Sequence, residues 1–172
     1  MVNIMAHITF YSLSDYNNAK LISHTFDLDL IDSYDEFHEE MAEWLYNLTR
    51  EMNDGEVREE YIVADYEDIP SEYVGEWSLD REYFDFKKVA DELGYEVVKA
   101  GVDLGIPLES IEDAYLGEYE SMEDYAEEYI DSTGLLSEVP ESLRFYFDVS
   151  AFARDLSMDV NEQDGHFFSA NW

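Results

Sequence analysis

The side chains in this sequence that could do chemistry are overwhelmingly carboxylates, with 43 Asp and Glu against 9 Lys and Arg, a formal charge of −34. Carboxylates can act as paired acid and base in glycoside hydrolysis, ligate hard cations, or act through charge alone. Here their abundance erases the first signal, because any two could be nominated. His7, His24, His38 and His166 show no His-x-x-x-His or His-Glu-x-x-His spacing and read as surface or packing residues. The stretch DLDLID, residues 27–32, lacks the glycine and the terminal Glu of a calcium loop and reads as a strand with outward acids. No glycine-rich phosphate loop is present. The absence of cysteine removes disulfides, thiol catalysis and thiolate metal sites, and suits a reducing cytoplasm. The expectation is a protein that is not an enzyme and needs no cofactor or metal.

What remains is where the acids stand. In SMEDYAEEYIDSTG, residues 121–134, helical spacing puts Met122, Tyr125, Ala126, Tyr129 and Ile130 on one stripe. Glu123, Asp124, Glu127, Glu128 and Asp131 fall on the other side, with no Lys or Arg to answer them. Like charges four residues apart destabilise a helix by a few tenths of a kcal/mol per pair, so this face opposes the helix that carries it. A second helix, from about Tyr34 to Glu51, turns Asp35, Glu36, Glu39, Glu40 and Glu43 outward from a stripe of Phe37, Met41, Trp44, Leu45 and Leu48. Glu109, Glu112, Asp113, Glu118 and Glu120 extend the candidate array through a stretch from Gly101 to Leu143 that has 13 acids and no Lys or Arg.

Carboxylates one helical turn apart lie about 5–6 Å from each other, not far from successive phosphates on a strand. Duplex DNA carries one charge per about 1.7 Å, so 34 charges match roughly 58 Å of duplex. A phosphate-like display for a basic partner is one reading of the array. A solvated acidic surface, as in proteins of salt-loving organisms, is another, and a histone chaperone-like or calcium-buffering scaffold is a third. Anionic membranes and nucleic acids should repel the chain, which leaves a basic protein, a polyamine or multivalent cations as partners.

The elements that must hold these acids are legible in outline. A hydrophobic share of 46% with 16% aromatic residues is enough for a packed core rather than a disordered acidic tail. The start, MVNIMAHITF, has no basic segment followed by a long apolar run, and no stretch approaches a membrane span, so a cytoplasmic protein is expected. The class predicted is α+β, in three segments, which the family resemblance given below implies to be an elongated chain of three small domains. In residues 1–78, HITFYSL supplies a strand through Ile8, Phe10 and Leu13. A second strand, around KLISHTFDL, follows a turn near Asn17 and Asn18; the helix from Tyr34 comes next, and EEYIVADYE gives a strand before Pro70. Residues 79–119 read as all-helical, with Phe84, Val89, Leu93 and Val97 on one helix and Leu108, Ile111 and Tyr115 on a shorter one. In residues 120–172 a helix capped by Ser121 and stopped by Gly134 precedes another from Pro140 to about Phe147, and GHFFSANW ends the chain as a strand.

One stretch carries more than composition. YAEEYIDSTGLLSEVPESLRFYFDVSAFARDL, residues 125–156, resembles the signature region of the ArdA antirestriction family: Thr133-Gly134, Val139-Pro140, Leu143, then Tyr146 and Asp148, and Ala151 with Arg154, Asp155 and Leu156. ITFYSLSDYNNAKLISHTFDL, near the start, is similar to the opening of the same family. The resemblance implies a DNA mimic that occupies the DNA-binding groove of type I restriction-modification enzymes in a bacterial host. It implies a homodimer, with Leu136, Val139, Pro140, Leu143, Tyr146 and Phe147 at the contact, and no direct binding of nucleic acid or membrane. Packing of the third domain is the alternative for those six residues. An acidic scaffold or chaperone for basic proteins, without duplex mimicry, is the alternative for the whole chain.

Overall fold

The computed structural model describes residues 5–172; the first four residues of the MVNIMAHITF start lie outside the described residues. The chain is mixed α+β, with eight α-helices and two three-stranded antiparallel sheets among the described residues. It packs as two compact units, one running to Lys87 and one from Lys88 to Trp172.

In the first unit β1 (His7–Ser12) is the central strand, flanked by β2 (Ser23–Asp27) and β3 (Tyr61–Glu67). Period-2 alternation sends Ile8, Phe10 and Ser12 inward. Register pairs Ile8 with Phe26 and Phe10 with His24 on one side, and a bulge at Thr9/Phe10 shifts the pairing with β3. Across this face lies α2 (Tyr34–Met52), burying Phe37, Met41 and Leu45. Phe10, Phe26 and Phe37 meet with ring centroids 5.4–6.0 Å apart, in edge or tilted geometry that suits their quadrupoles. Helix α2 begins at Ser33, whose hydroxyl accepts from the Glu36 N–H, and ends at Asn53 in the left-handed region.

A buried charge cluster, absent from the sequence reading, ties the ends of this unit's sheet together. The strand reading of HITFYSL ends one residue early: Leu13 opens a short helix, α1 (Leu13–Asn17), which turns Asp15 into the interior. There Arg58, its side chain fully buried, donates to both oxygens of Asp15 at 2.6 and 2.8 Å and to Asp54 at 2.9 and 3.2 Å. The Ser12 hydroxyl completes the shell of Asp15 at 2.7 Å. The Arg58 hydrogen bonds hold the Asp15 and Asp54 carboxyls below the usual range, and those carboxylates in turn raise the guanidinium. Beyond β3, Tyr73, Tyr83 and Phe86 form a second aromatic cluster, where burial pushes the Tyr73 phenol up to about 12.

Helix α3 (Glu82–Leu93) carries the chain into the second unit, and here the sequence reading needs correction. Phe84 to Val97 is two helices. Gly94, at φ 97°, breaks them, and α4 (Tyr95–Asp103) starts afresh. The stretch after Pro107 gives a 3-10 turn and then one turn of helix, α5 (Ile111–Ala114); Tyr115 does not continue it but opens β4 (Tyr115–Glu118). Helix α6 (Met122–Thr133) matches expectation at both ends, with the Asp124 N–H bonded to Ser121 and Gly134 left-handed at φ 63°. The helix from Pro140 stops at Arg144 (α7, Glu141–Arg144) rather than near Phe147, and α8 (Val149–Leu156), capped by Asp148, follows unanticipated. The terminal strand β6 (His166–Ser169) lies between β4 and β5 (Val160–Gln163), a strand the sequence reading missed. Phe167, Phe168, Ile130, Ala126, Ala153 and Ile111 form the core of this unit. DLDLID, finally, is no strand: Leu28–Leu30 is a 3-10 turn, with the Asp27 carboxylate accepting from the Asp29 N–H.

Removing Arg58 would leave Asp15 buried without a counter-charge. Arg58→Ala is expected to destabilise the first unit by about 3–5 kcal/mol in urea denaturation. Because the folded carboxyls titrate below their unfolded values, their contribution is complete above about pH 4 and is lost as pH falls through the lower folded values. Acid titration of the wild type, followed by near-ultraviolet dichroism, should show this loss, and Arg58→Ala should lack it.

Candidate functional site

Each unit offers its own acidic helix face. On α2 the side chains of Asp35, Glu36, Glu39, Glu40 and Glu43 are all exposed, opposite the buried Phe37, Met41 and Leu45. Spacing of four residues relates Asp35 to Glu39, Glu36 to Glu40 and Glu39 to Glu43, so the acids climb the helix in rows. On α6, Glu123, Asp124, Glu127, Glu128 and Asp131 are exposed in the same manner, held outward by Ala126 and Ile130 in the core. Glu109, Glu112, Asp113, Glu118 and Glu120 are exposed on the segment leading to α6.

These carboxylates are not equivalent. Glu36 accepts the Asp32 N–H at 2.8 Å, and Asp124 accepts from the Ser121 hydroxyl, so both help to cap their helices. First-turn acids also meet the positive end of the helix dipole. Asp35 is paired with Arg81 at 3.1 Å. Glu128 faces the Tyr119 phenol, whose ionisation is suppressed first by burial and then by that charge. The acids of the central and last turns, Glu39, Glu40 and Glu43 on α2 and Glu127 and Asp131 on α6, have neither capping role nor ion pair among the described residues. They are the members most available to an outside partner.

The six residues assigned to a contact divide in two. Leu143 and Tyr146 are 54% and 79% exposed and Pro140 is exposed as well, which ordinary packing of this unit does not explain. Leu136, Val139 and Phe147 are half-buried, Phe147 packing on Phe152 at 5.6 Å. The neighbouring Phe145, not singled out in the sequence, is 90% exposed. Arg144 donates to the carbonyls of Val139 and Ser137 and so braces this loop.

Among the described residues no cluster of three or more His, Asp or Glu side chains is arranged to hold a metal, and no helix is long and apolar enough to cross a membrane. His24 stacks on Trp44 and His166 contacts the Tyr115 hydroxyl, both packing roles. The class these surfaces define is an acidic α+β protein that displays charge on helix faces. Its sequence matches the family described as Antirestriction protein (ArdA) over residues 10–168, nearly the whole chain. The chain belongs to the ArdA antirestriction family, a family of inhibitors rather than known enzymes. Membership implies an antirestriction function and interaction with restriction-modification enzymes. No curated protein matches the chain significantly.

Unanswered like charges on one face should respond to both screening and reversal. Raising NaCl from about 20 to about 300 mM, which shortens the Debye length severalfold, is expected to raise the thermal midpoint. Glu127→Lys sets a cation four residues from both Glu123 and Asp131 and should stabilise the protein by about 0.2–0.5 kcal/mol per pair in urea titrations at low salt.

Proposed function

We propose that this protein is a DNA mimic: it occupies the DNA-binding groove of a type I restriction-modification enzyme in the bacterial cytoplasm and so protects incoming DNA. The observation that carries the reading is the exposure of every candidate carboxylate, in rows at helical spacing on α2 and α6 and on turn, strand and loop positions in the segment before α6. A groove built for phosphates is lined with Lys and Arg, and a rigid row of carboxylates reproduces the charge it expects. Long-range attraction speeds encounter, and ions released from both surfaces favour the complex. Each exposed contact contributes about 0–1 kcal/mol, so affinity is spread over many of them.

In the same reading the active species is a homodimer, and the chain is an elongated series of three small domains. Exposed Leu143, Phe145 and Tyr146 supply an apolar surface of the kind that a second copy would cover. Tyr146→Glu, at an already solvated position, should shift sedimentation from dimer to monomer with the circular dichroism unchanged.

Duplex competition tests the mechanism. The protein should displace DNA from a type I enzyme at near-stoichiometric levels, less effectively as salt rises. Small-angle scattering should report an extended particle. Single substitutions such as Glu127→Gln should be nearly silent, while Glu123→Gln, Asp124→Asn, Glu127→Gln and Glu128→Gln together should weaken inhibition modestly. Abolition by one of them would overturn the distributed mechanism. Indiscriminate binding of histone-like proteins, without competition against duplex, would favour an acidic chaperone instead.

A further inference from the structure

Helix α2 carries three aromatic side chains beside its carboxylates, and two of them already hold an arginine. The Arg81 guanidinium lies 4.7 Å over the Tyr34 ring while its Nη2 donates to Asp35, and Arg50 lies 5.6 Å over Tyr46. The third, Trp44, has no such partner among the described residues. It forms part of a groove of about 360 Å³ between α2 and β2, within the range of small-ligand sites. His24 stacks on Trp44 with ring centroids 5.5 Å apart and planes 23° from parallel, and this aromatic stack forms part of the groove's wall. Glu40, Glu43 and Glu51 line the same groove, Asn47 adds an amide, and no Lys or Arg lines it.

We propose that this groove receives an arginine side chain from the basic surface of the partner enzyme, repeating between molecules the arrangement that Arg81, Tyr34 and Asp35 make within this one. The inference rests on the DNA-mimic reading for its partner, but its chemistry stands on the groove alone. A guanidinium is planar, weakly hydrated and rich in donors, so it stacks on an aromatic face while bonding carboxylates at its edge. An ammonium satisfies the carboxylates but cannot stack. Against a surface built for phosphates the groove offers carboxylates, with an aromatic stack beside them.

The test uses the full chain and three probes of matched size: N-acetylargininamide, N-acetyllysinamide and neutral N-acetylcitrullinamide. NMR at physiological ionic strength would follow the Trp44 indole N–H, distinguished from Trp77 and Trp172 by Trp44→Phe. Saturable shifts at Trp44 and His24, with the arginine probe bound about fivefold more tightly than the lysine probe and the citrulline probe inert, are expected. Equal response to the arginine and lysine probes, or no saturation, overturns the proposal. Glu40→Gln/Glu43→Gln, at exposed positions, should abolish the shifts without unfolding the protein. In duplex competition, Trp44→Leu keeps every carboxylate yet should weaken inhibition about tenfold, far more than Glu39→Gln. A folded Trp44→Leu with full potency refutes the role in partner binding. Should the wild type bind the arginine probe selectively but fail to displace duplex, the mimic reading falls and the groove's arginine chemistry is upheld.

Discussion

Mutual repulsion among acids is the constraint to which everything else in this molecule answers. With 43 acidic and 9 basic residues, compactness brings like charges together, and the apolar interior must outweigh that opposition. The chain meets it with rings. Of its ten Phe, fourteen Tyr and three Trp, the buried ones supply large apolar areas per residue, and their edge-to-face contacts add about 0.5–1.5 kcal/mol per pair beyond the area term. In the first unit Phe10, Phe26 and Phe37 make such a knot between sheet and helix; in the second, Phe167 meets Tyr119 and Tyr125 beneath α6.

Scarce cations are placed where they do most. Arg58, its side chain buried, bonds Asp15 and Asp54 at once, and Lys87 bonds the Ile31 carbonyl at the approach to α2. Arg144 braces a loop through carbonyls, and Lys99 pairs with Asp103 on α4. These four cations thus serve the structure, and apart from the Asp35–Arg81 pair the candidate acids of α2 and α6 have no ion pair among the described residues. A surface meant only to be soluble has no need of that division, since a modest net charge suffices.

Membership in an inhibitor family fits a molecule whose work is recognition. Helices are suitable carriers for it, because their side-chain spacing is fixed by the backbone rather than by loop conformation.

The sequence by itself determined the acidic faces, the caps and the α+β class, because each follows from local rules. Ser33 and Asn53 bound α2, Ser121 and Gly134 bound α6, and periodicity sorts Glu39 from Met41 and Glu127 from Ile130 without any distant contact. It even held signals left unread: Gly94, which divides α3 from α4, and Asp164-Gly165, both at positive φ in the tight turn joining β5 to β6. Tertiary structure decided the rest. Asp15 and Arg58 are 43 residues apart and meet only because α1 turns one inward while β3's approach delivers the other. Tyr115 leaves its helical periodicity because β6, fifty residues on, offers a strand partner, and backbone pairing outweighs a weak local preference. The groove of Trp44 and His24 likewise exists only where α2 crosses β2. Local patterns fix which side of an element faces water; only the folded chain fixes what that side stands beside.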